Sequence, residues 1–500
     1  MFSKIFSCSS SGLSCSTVEV QADISNGLPS FSIVGLGDVS VQESKERVRA
    51  SIKNTGFKFP PTKKVINLAP AQIRKEGPAF DLPIAISLLL ASRQISVKNL
   101  EKSIIIGELS LTGNVKPITG IIAIVEHSKK AGFKEIFIPY ENSMEASFCG
   151  GIKIYPIKTL SQLIEHITDQ INIQPIKHKK IVTQRIHRGI KFEKIIGMAG
   201  AKRGLQIAAA GGHNTLLFGA PGCGKTILCR AFKYLLPPPN TKEVLESTKI
   251  YSVCGLLNEQ TPIISNRPFR EVHHTATAAA LIGGGQNPKP GEISLAHNGV
   301  LFFDEIAEFP KKILETLRQP LEDKKINISR KGQTITYPSN FIFLATMNPC
   351  PCGYLGSKDQ NCKCTDSQIK NYQKKISGPL LDRFDICLHI QKSSMGDLFQ
   401  ESSNPQNLTD RIYNASLTQK SRFNHNNADM NINEIKLHCQ LSPENTDFLN
   451  QAAEKLKLSN RGYLKVLKVA RTIADLESSE CINQLHLAEA LQYKSTSLTV

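Results

Sequence analysis

Short apolar runs at Phe31–Val34, Lys64–Leu68, Ile104–Ile106 and Glu135–Pro139 alternate with stretches of helical period at Gln42–Ile52 and Leu82–Ala91. A two-residue period suits a strand and a 3.6-residue period one face of a helix, so residues 1–170 are expected to form an α/β domain. The rhythm stops over residues 171–190, where QPIKHKKIVTQRIHR holds five Lys or Arg, a proline and no acid. This reads as a basic linker with a possible contact to phosphate. Across residues 191–391, apolar runs at Thr215–Phe218, Val300–Phe303 and Asn340–Ala345 alternate with helical stretches and Gly/Pro loops, the pattern of a parallel sheet. A polar, Asn- and Ser-rich stretch follows, and the rest of residues 392–500 reads as helices. Ser442-Pro443 supplies an N-cap and first helical position, and Leu464, Leu467, Ala470 and Ile473 fall on one face.

Composition adds a partner class and a compartment. Sixty-one Lys and Arg against 43 Asp and Glu give a formal charge of +18, which suits a polyanion, because neutralising phosphates releases counterions. Thirteen cysteines are mostly scattered singly through a chain of 500 residues, which fits a reducing cytosol better than a disulfide framework. The opening MFSKIFSCSSSGLSCS is broken by serines and lacks the apolar core of a signal peptide. No run reaches about 18 uninterrupted apolar residues. A cytoplasmic protein without a membrane span is the expectation.

The chemistry concentrates in the central segment. TLLFGAPGCGKT places Gly219, Ala220, Pro221, Gly222, Cys223, Gly224, Lys225 and Thr226 in the pattern GxxxxGK(S/T), after an apolar run and before a plausible helix. Such a loop cradles phosphates with backbone N–H groups; Lys225 would reach the β and γ phosphates and Thr226 would offer a hydroxyl to Mg2+. ATP and Mg2+ are therefore the expected cofactors. In GVLFFDEIAEF an apolar strand ends in Asp304-Glu305, suited to holding the metal through water and to polarising the attacking water. A further strand ends at Asn348, placed to orient that water. Arg383, in SGPLLDRFDI, is either an arginine finger for a neighbouring subunit or a surface residue paired with Asp382 or Asp385. Arg461, after Asn460, is a further candidate for the phosphates.

The succession GAPGCGKT, RPFREVHHTATAAALIGGG, PGEISLAHNGVLFFDE, ATMNPCPCGY, SGPLLDRFD and SNRGYLKVLKVARTIADL resembles the magnesium-chelatase-like AAA+ ATPases of the ComM (YifB) type, over nearly the whole chain. The resemblance implies a central AAA+ domain with a C-terminal helical lid, and a ring, usually a hexamer, with ATP between subunits. It makes Asn348 sensor 1, Arg383 the finger and Arg461 sensor 2. It also implies movement or branch migration of DNA, single-stranded or branched, as in natural transformation and recombination. The rival is a magnesium-chelatase-like remodelling ATPase acting on a protein or metal-insertion partner, which would share every ATP-site residue.

Two segments suit a pore. Pro268–Gly291 carries Phe269, Arg270, His273 and His274 before a GGG turn and is similar to the helix-2 insert of this clade. Ile326–Thr336 alternates and turns at Lys331-Gly332, and it resembles the hairpin before sensor 1 of replicative helicases. Arg270, Arg330 and Lys331 are the candidate DNA contacts. The N-terminal domain resembles the proteolytic domain of Lon through KEGPAFDLPIAISLLLAS and GELSLTGNVKPITGIIAIVEHSKKAGFKEIFIP. Lon requires a serine and a lysine where this chain has Ala79 and Ile122, and neither side chain can act as nucleophile or base. A noncatalytic scaffold or binding element is the expectation. Finally, Cys350, Cys352, Cys362 and Cys364 suit either a tetrahedral Zn2+ site or two plain thiol pairs.

Overall fold

The computed structural model describes residues 1–97, 100–183, 192, 195–285, 288–330, 333–356, 360–391 and 406–494. They form two compact units, one of Met1–Val182 with Val244–Ile264 and one of Thr183–Glu243 with Ser265–Val500.

The first unit is built on a long antiparallel hairpin, β1 (Phe2–Ser11) and β2 (Ser14–Ser25). Its turn uses Gly12 at φ 62°, a conformation that costs glycine little. With β3 (Ser30–Val34), β4 (Lys63–Ala69), β5 (Ser103–Ile105), β6 (Glu135–Pro139) and β7 (Lys153–Ile157), the hairpin makes a seven-stranded mixed sheet, ordered β3-β4-β2-β1-β5-β6-β7. Strand alternation divides two cores. Ile105, Phe137 and Tyr155 join Leu82, Leu88 and Val48, from helices Asp81–Ala91 and Val39–Asn54, while Ile104, Ile136 and Ile138 join helix Ile121–Lys130 in the other core. Ala79 and Ile122 pack into that second core, so carbon fills both positions at which Lon carries its reactive groups.

The stretch Val244–Ile264 lies inside the segment read as 191–391, yet it packs with the first unit. Its helix, Thr241–Cys254, accepts a hydrogen bond at Ser252 O from Gly120 N at 3.2 Å, and Lys249 pairs with Glu126. A map that follows chain order cannot show such an excursion. The first part of the basic linker also lies here, with Ile176 N donating to Ile154 O at 2.8 Å. The rest of the linker, residues 184–190, lies outside the described residues.

The second unit centres on a five-stranded sheet of β8 (Thr215–Gly219), β9 (Phe269–Val272), β10 (Val300–Phe303), β11 (Ile342–Met347) and β12 (Ile386–Ile390). Its order is β12-β8-β11-β10-β9 and every pairing is parallel. The three central strands are apolar almost throughout, as a sheet covered on both faces requires. Parallel strands align their C-terminal ends, which brings Gly219, Asp304 and Asn348 to one edge.

The C-terminal helices cover this unit's core. Ser442 caps Pro443–Lys455 by accepting from Asn445 N at 3.2 Å, with Pro443 at the first position, as the sequence predicts. Leu467, Ala470 and Ile473 of Asn460–Leu476 are buried against helix Ala199–Gly211, and Leu464 is half-buried beside them. The α/β first unit, the parallel P-loop sheet and the helical lid agree with the fold class read from the sequence. Among the described residues, no helix is long and apolar enough to cross a membrane.

Candidate functional site

The loop after β8 folds as its glycines permit. Gly222 and Gly224 take φ of 74° and 89°, and a Cβ on Gly219 would lie 2.2 Å from Ile390 O of the adjacent strand. Helix Lys225–Phe232 follows directly, so its free N–H groups and dipole face the loop.

Lys225 is buried under this loop. Its ammonium donates to Gly219 O at 2.7 Å, Ala220 O at 2.8 Å and Asn348 Oδ1 at 3.1 Å. Burial lowers its pKa, while Cys223, Asp304 and Glu305 oppose that shift. Thr226 Oγ1 lies 3.1 Å from both carboxylate oxygens of Asp304. The structure therefore brings Lys225, Thr226, Asp304 and Asn348 together beside the ends of three strands, as two neighbouring hydrogen-bonded pairs, Lys225–Asn348 and Thr226–Asp304. Glu305 is exposed next to Asp304, with its backbone in the left-handed region at φ 53°.

One residue at this site has no counterpart among the residues expected from the sequence. Thr346, fully buried on β11, donates to Asp304 Oδ1 at 2.5 Å and accepts from Glu305 N at 2.8 Å. It fixes both acids at once. The only signal for it is a polar residue inside an otherwise apolar run, two positions before Asn348.

Arg383 and Arg461 form a second cluster. Arg383 donates to Pro379 O and Glu322 Oε2, both at 2.5 Å, and to Arg318 O at 3.2 Å. Arg461 reaches the other oxygen of Glu322 at 3.4 Å. The two arginines thus bracket one carboxylate, and neither Asp382 nor Asp385 takes Arg383. They line a cleft of about 930 Å3 with Asp385, Lys465 and Lys468. Asp385 binds Lys465 at 2.7 Å and lies 3.4 Å from His213. Burial would raise that carboxyl, but Lys465 and His213 outweigh it and hold the pKa well below the usual range.

Arg270 is engaged elsewhere: its guanidinium grips Glu292 in a bidentate pair at 2.6 and 2.7 Å. A phosphate reaching Arg270 would compete with that carboxylate. His273 and His274 lie with ring centroids 4.1 Å apart. The hairpin is present as Lys325–Arg330 paired with Gln333–Pro338. Ile326, Ile328 and Tyr337 are buried, whereas Asn327, Ser329, Thr334 and Thr336 are exposed. Lys331 and its turn lie outside the described residues, as does the Arg330 side chain. The sulfurs of Cys350, Cys352, Cys362 and Cys364 lie within 4.8 Å of one another.

A parallel sheet in this order, with a P-loop, an acidic strand end beside it and a helical lid, defines an AAA+-type ATPase. Comparison with known proteins narrows the class. The families "Magnesium chelatase, subunit ChlI", "Subunit ChlI of Mg-chelatase" and "Magnesium chelatase, subunit ChlI C-terminal" match residues 191–398, 20–142 and 401–494. The chain is 38% identical to competence protein ComM of Haemophilus influenzae over 98% of its own length and 97% of that protein's. It is 39% identical to the uncharacterized protein YifB of Salmonella typhimurium, over 97% of this chain and 95% of the relative. A shorter match, 32% identity over 125 residues, links it to Lon protease 2 of Bacillus subtilis, covering 25% of this chain and 22% of that one. The chain belongs to the ComM/YifB family of magnesium-chelatase-like proteins. Membership implies ATPase activity with nucleotide and Mg2+.

Proposed function

We propose that this protein is a ring-forming motor, most simply a hexamer, that couples ATP hydrolysis to translocation or branch migration of DNA. Gly219–Thr226 cradle the triphosphate, Lys225 reaches its β and γ phosphates, and Thr226 and Asp304 hold Mg2+. Glu305 accepts a proton as water attacks the γ-phosphorus and the bond to the ADP oxygen breaks, with Asn348 orienting that water. The neighbouring subunit's Arg383 and Arg461 stabilise the charge of the transferring group. Their geometry supports acting together on one anion, because both already bracket the Glu322 carboxylate. In this reading Arg461 serves the neighbour's ATP rather than its own. The four cysteines hold a second, structural metal, Zn2+.

One observation carries the DNA reading: the two pore candidates, separate in sequence, meet. Ile328 of the hairpin reaches Gly283, where a Cβ would lie 2.8 Å from its Cδ1, and Tyr337 Oη donates to Pro288 O at 2.8 Å. The insert therefore backs the hairpin's apolar face and leaves a hydroxyl- and amide-rich face exposed, Asn327, Ser329, Thr334 and Thr336, with Arg330 and Lys331 between Ser329 and Thr334 in sequence. Such a surface suits a phosphate backbone without reading bases. The name of the Haemophilus relative, a competence protein, agrees with a DNA substrate. The test is ATP hydrolysis with and without single-stranded and branched DNA across a salt series. Stimulation that falls with salt and is lost on Arg330→Ala with Lys331→Ala supports the reading. Hydrolysis indifferent to every DNA would instead favour a remodelling ATPase acting on a protein or metal-insertion partner.

A further inference from the structure

The four-cysteine cluster stands directly against the nucleotide loop, and any effect of it on nucleotide rests on the zinc assignment proposed above. A ZnS4 tetrahedron with Zn–S bonds of about 2.3 Å requires sulfurs about 3.8 Å apart. Cys350, Cys352 and Cys362 already have their sulfurs 3.4 to 3.6 Å apart, and Cys364 completes the group. Their contacts run in two directions. Cys350 is fully buried and follows Asn348, the acceptor of the Lys225 ammonium, by two residues. Gly353 N donates to Cys350 O at 3.0 Å and closes a tight turn. That turn lies on the P-loop: a Cβ on Gly353, whose φ is 84°, would sit 2.5 Å from Cγ of Pro221. At the far end, Thr365 caps helix Asp366–Gln373 immediately after Cys364, and Gln373 donates back to Pro349 O at 3.1 Å.

We propose that Zn2+ on these four thiolates acts as a clamp that holds Asn348 and the Cys350–Gly353 turn against the P-loop, so that ATP affinity depends on the metal. Each thiol gives up its proton on binding, and Zn2+ brings no redox chemistry of its own. The metal ties both ends of the 350–364 loop to one point. Without it, the backbone that presses on Pro221 keeps the Gly353–Cys350 turn and the Gln373 hydrogen bond but loses the tie between Cys350 and Cys364.

The test uses the full chain. Metal analysis of freshly purified protein should find one zinc per chain, and Cys362→Ser with Cys364→Ser should remove it. The zinc-free variant should bind a fluorescent ATP analogue roughly tenfold more weakly, the loss expected for about one hydrogen bond to the phosphates. Gly353→Ala separates clamp from metal: it should keep the zinc yet weaken the analogue by a similar factor, because its Cβ displaces the turn from Pro221. Absence of zinc, or iron with visible absorbance in its place, would overturn the zinc assignment. Zinc present, with Gly353→Ala and the zinc-free variant both binding the analogue like the parent, would overturn the clamp and leave the metal standing.

Discussion

Thr346→Val keeps the outline of a fully buried side chain and removes one hydroxyl. That hydroxyl donates to Asp304 Oδ1 at 2.5 Å and accepts from the Glu305 amide at 2.8 Å. The first bond is charge-assisted and contributes about 1.5–3 kcal/mol; loss of the second strands a backbone N–H at a cost of about 1–3 kcal/mol. The orphaned amide belongs to a residue at φ 53°, a conformation that persists only while its surroundings hold it. Only the part of this loss expressed in the transition state slows turnover. If that part is about 1.5–3 kcal/mol, kcat falls roughly 10- to 150-fold. Nucleotide affinity should change little, because Lys225 and the loop backbone are untouched. Phosphate release at saturating Mg-ATP reads kcat, and a fluorescent ATP analogue reads binding, both well below the melting temperature. Thr346→Ser restores the hydroxyl and should restore the rate. Turnover by the valine variant at the parent's rate, or a serine variant as slow as the valine, would refute the role assigned to this hydroxyl.

Glu305→Gln should retain ATP and lose hydrolysis by at least about 100-fold, measured as phosphate release against analogue binding. Lys225→Ala should lose binding itself in the same assay. Arg383→Ala and Arg461→Ala should each bind ATP yet hydrolyse it slowly, and mixing Arg383→Ala with Lys225→Ala chains should restore part of the rate; no recovery would count against a site shared between subunits. Asp475 has no exposed side-chain surface and accepts from Arg422 at 2.7 Å, Arg471 at 3.1 Å and Asn427 at 2.8 Å. Asp475→Ala should therefore destabilise the lid by about 3 kcal/mol, seen as a lower denaturation midpoint. In the first unit, burial pushes the Glu145 carboxyl up to about 7. An acid raised on folding stabilises the fold at low pH and loses that contribution as pH rises from its ordinary value towards 7. Glu145→Gln should accordingly raise the melting temperature at pH 8 and leave it nearly unchanged at pH 4; an equal shift at both values would contradict the assignment.

Much of the fold was legible because it depends on local periodicity. The apolar runs at Thr215, Val300 and Ile342 can only be strands of a covered sheet, and parallel alignment then forces their polar ends together. Two features resisted because their cause is not local. The apolar runs read as strands begin only at Phe31, yet β1 pairs with β2 over its whole length, because Ile5, Val18, Val20 and Ala22 alternate into the core. The excursion of Val244–Ile264 to the first unit follows from contacts such as Lys249 with Glu126, which no chain-order argument contains.

The site divides along the same line. Lys225, Thr226, Asp304 and Asn348 were readable because each ends a strand or opens a helix, so one-dimensional position fixes three-dimensional position. Arg383 carries no such constraint, and Arg461, though it opens helix Asn460–Leu476, is not tied by that to the sheet edge. Their meeting depends on Glu322, contributed by helix Arg318–Asp323, and on Lys465, which binds Asp385 at 2.7 Å and Phe384 O at 3.2 Å and so fastens the segment around Arg383 to the lid. Asn214 adds a link from the start of β8, donating to Arg383 O and to Asp385 Oδ2, each at 3.2 Å, while its Oδ1 receives Phe343 N at 2.8 Å. The segment around Arg383 is thus bonded to the start of the strand that feeds the P-loop and to the lid helix that carries Arg461. A shift of the lid relative to the sheet must strain Asp385–Lys465 or carry Arg383 with it. The two arginines would then move as one element, which is the property that the proposed site shared between subunits needs if hydrolysis in one is to be felt by the next.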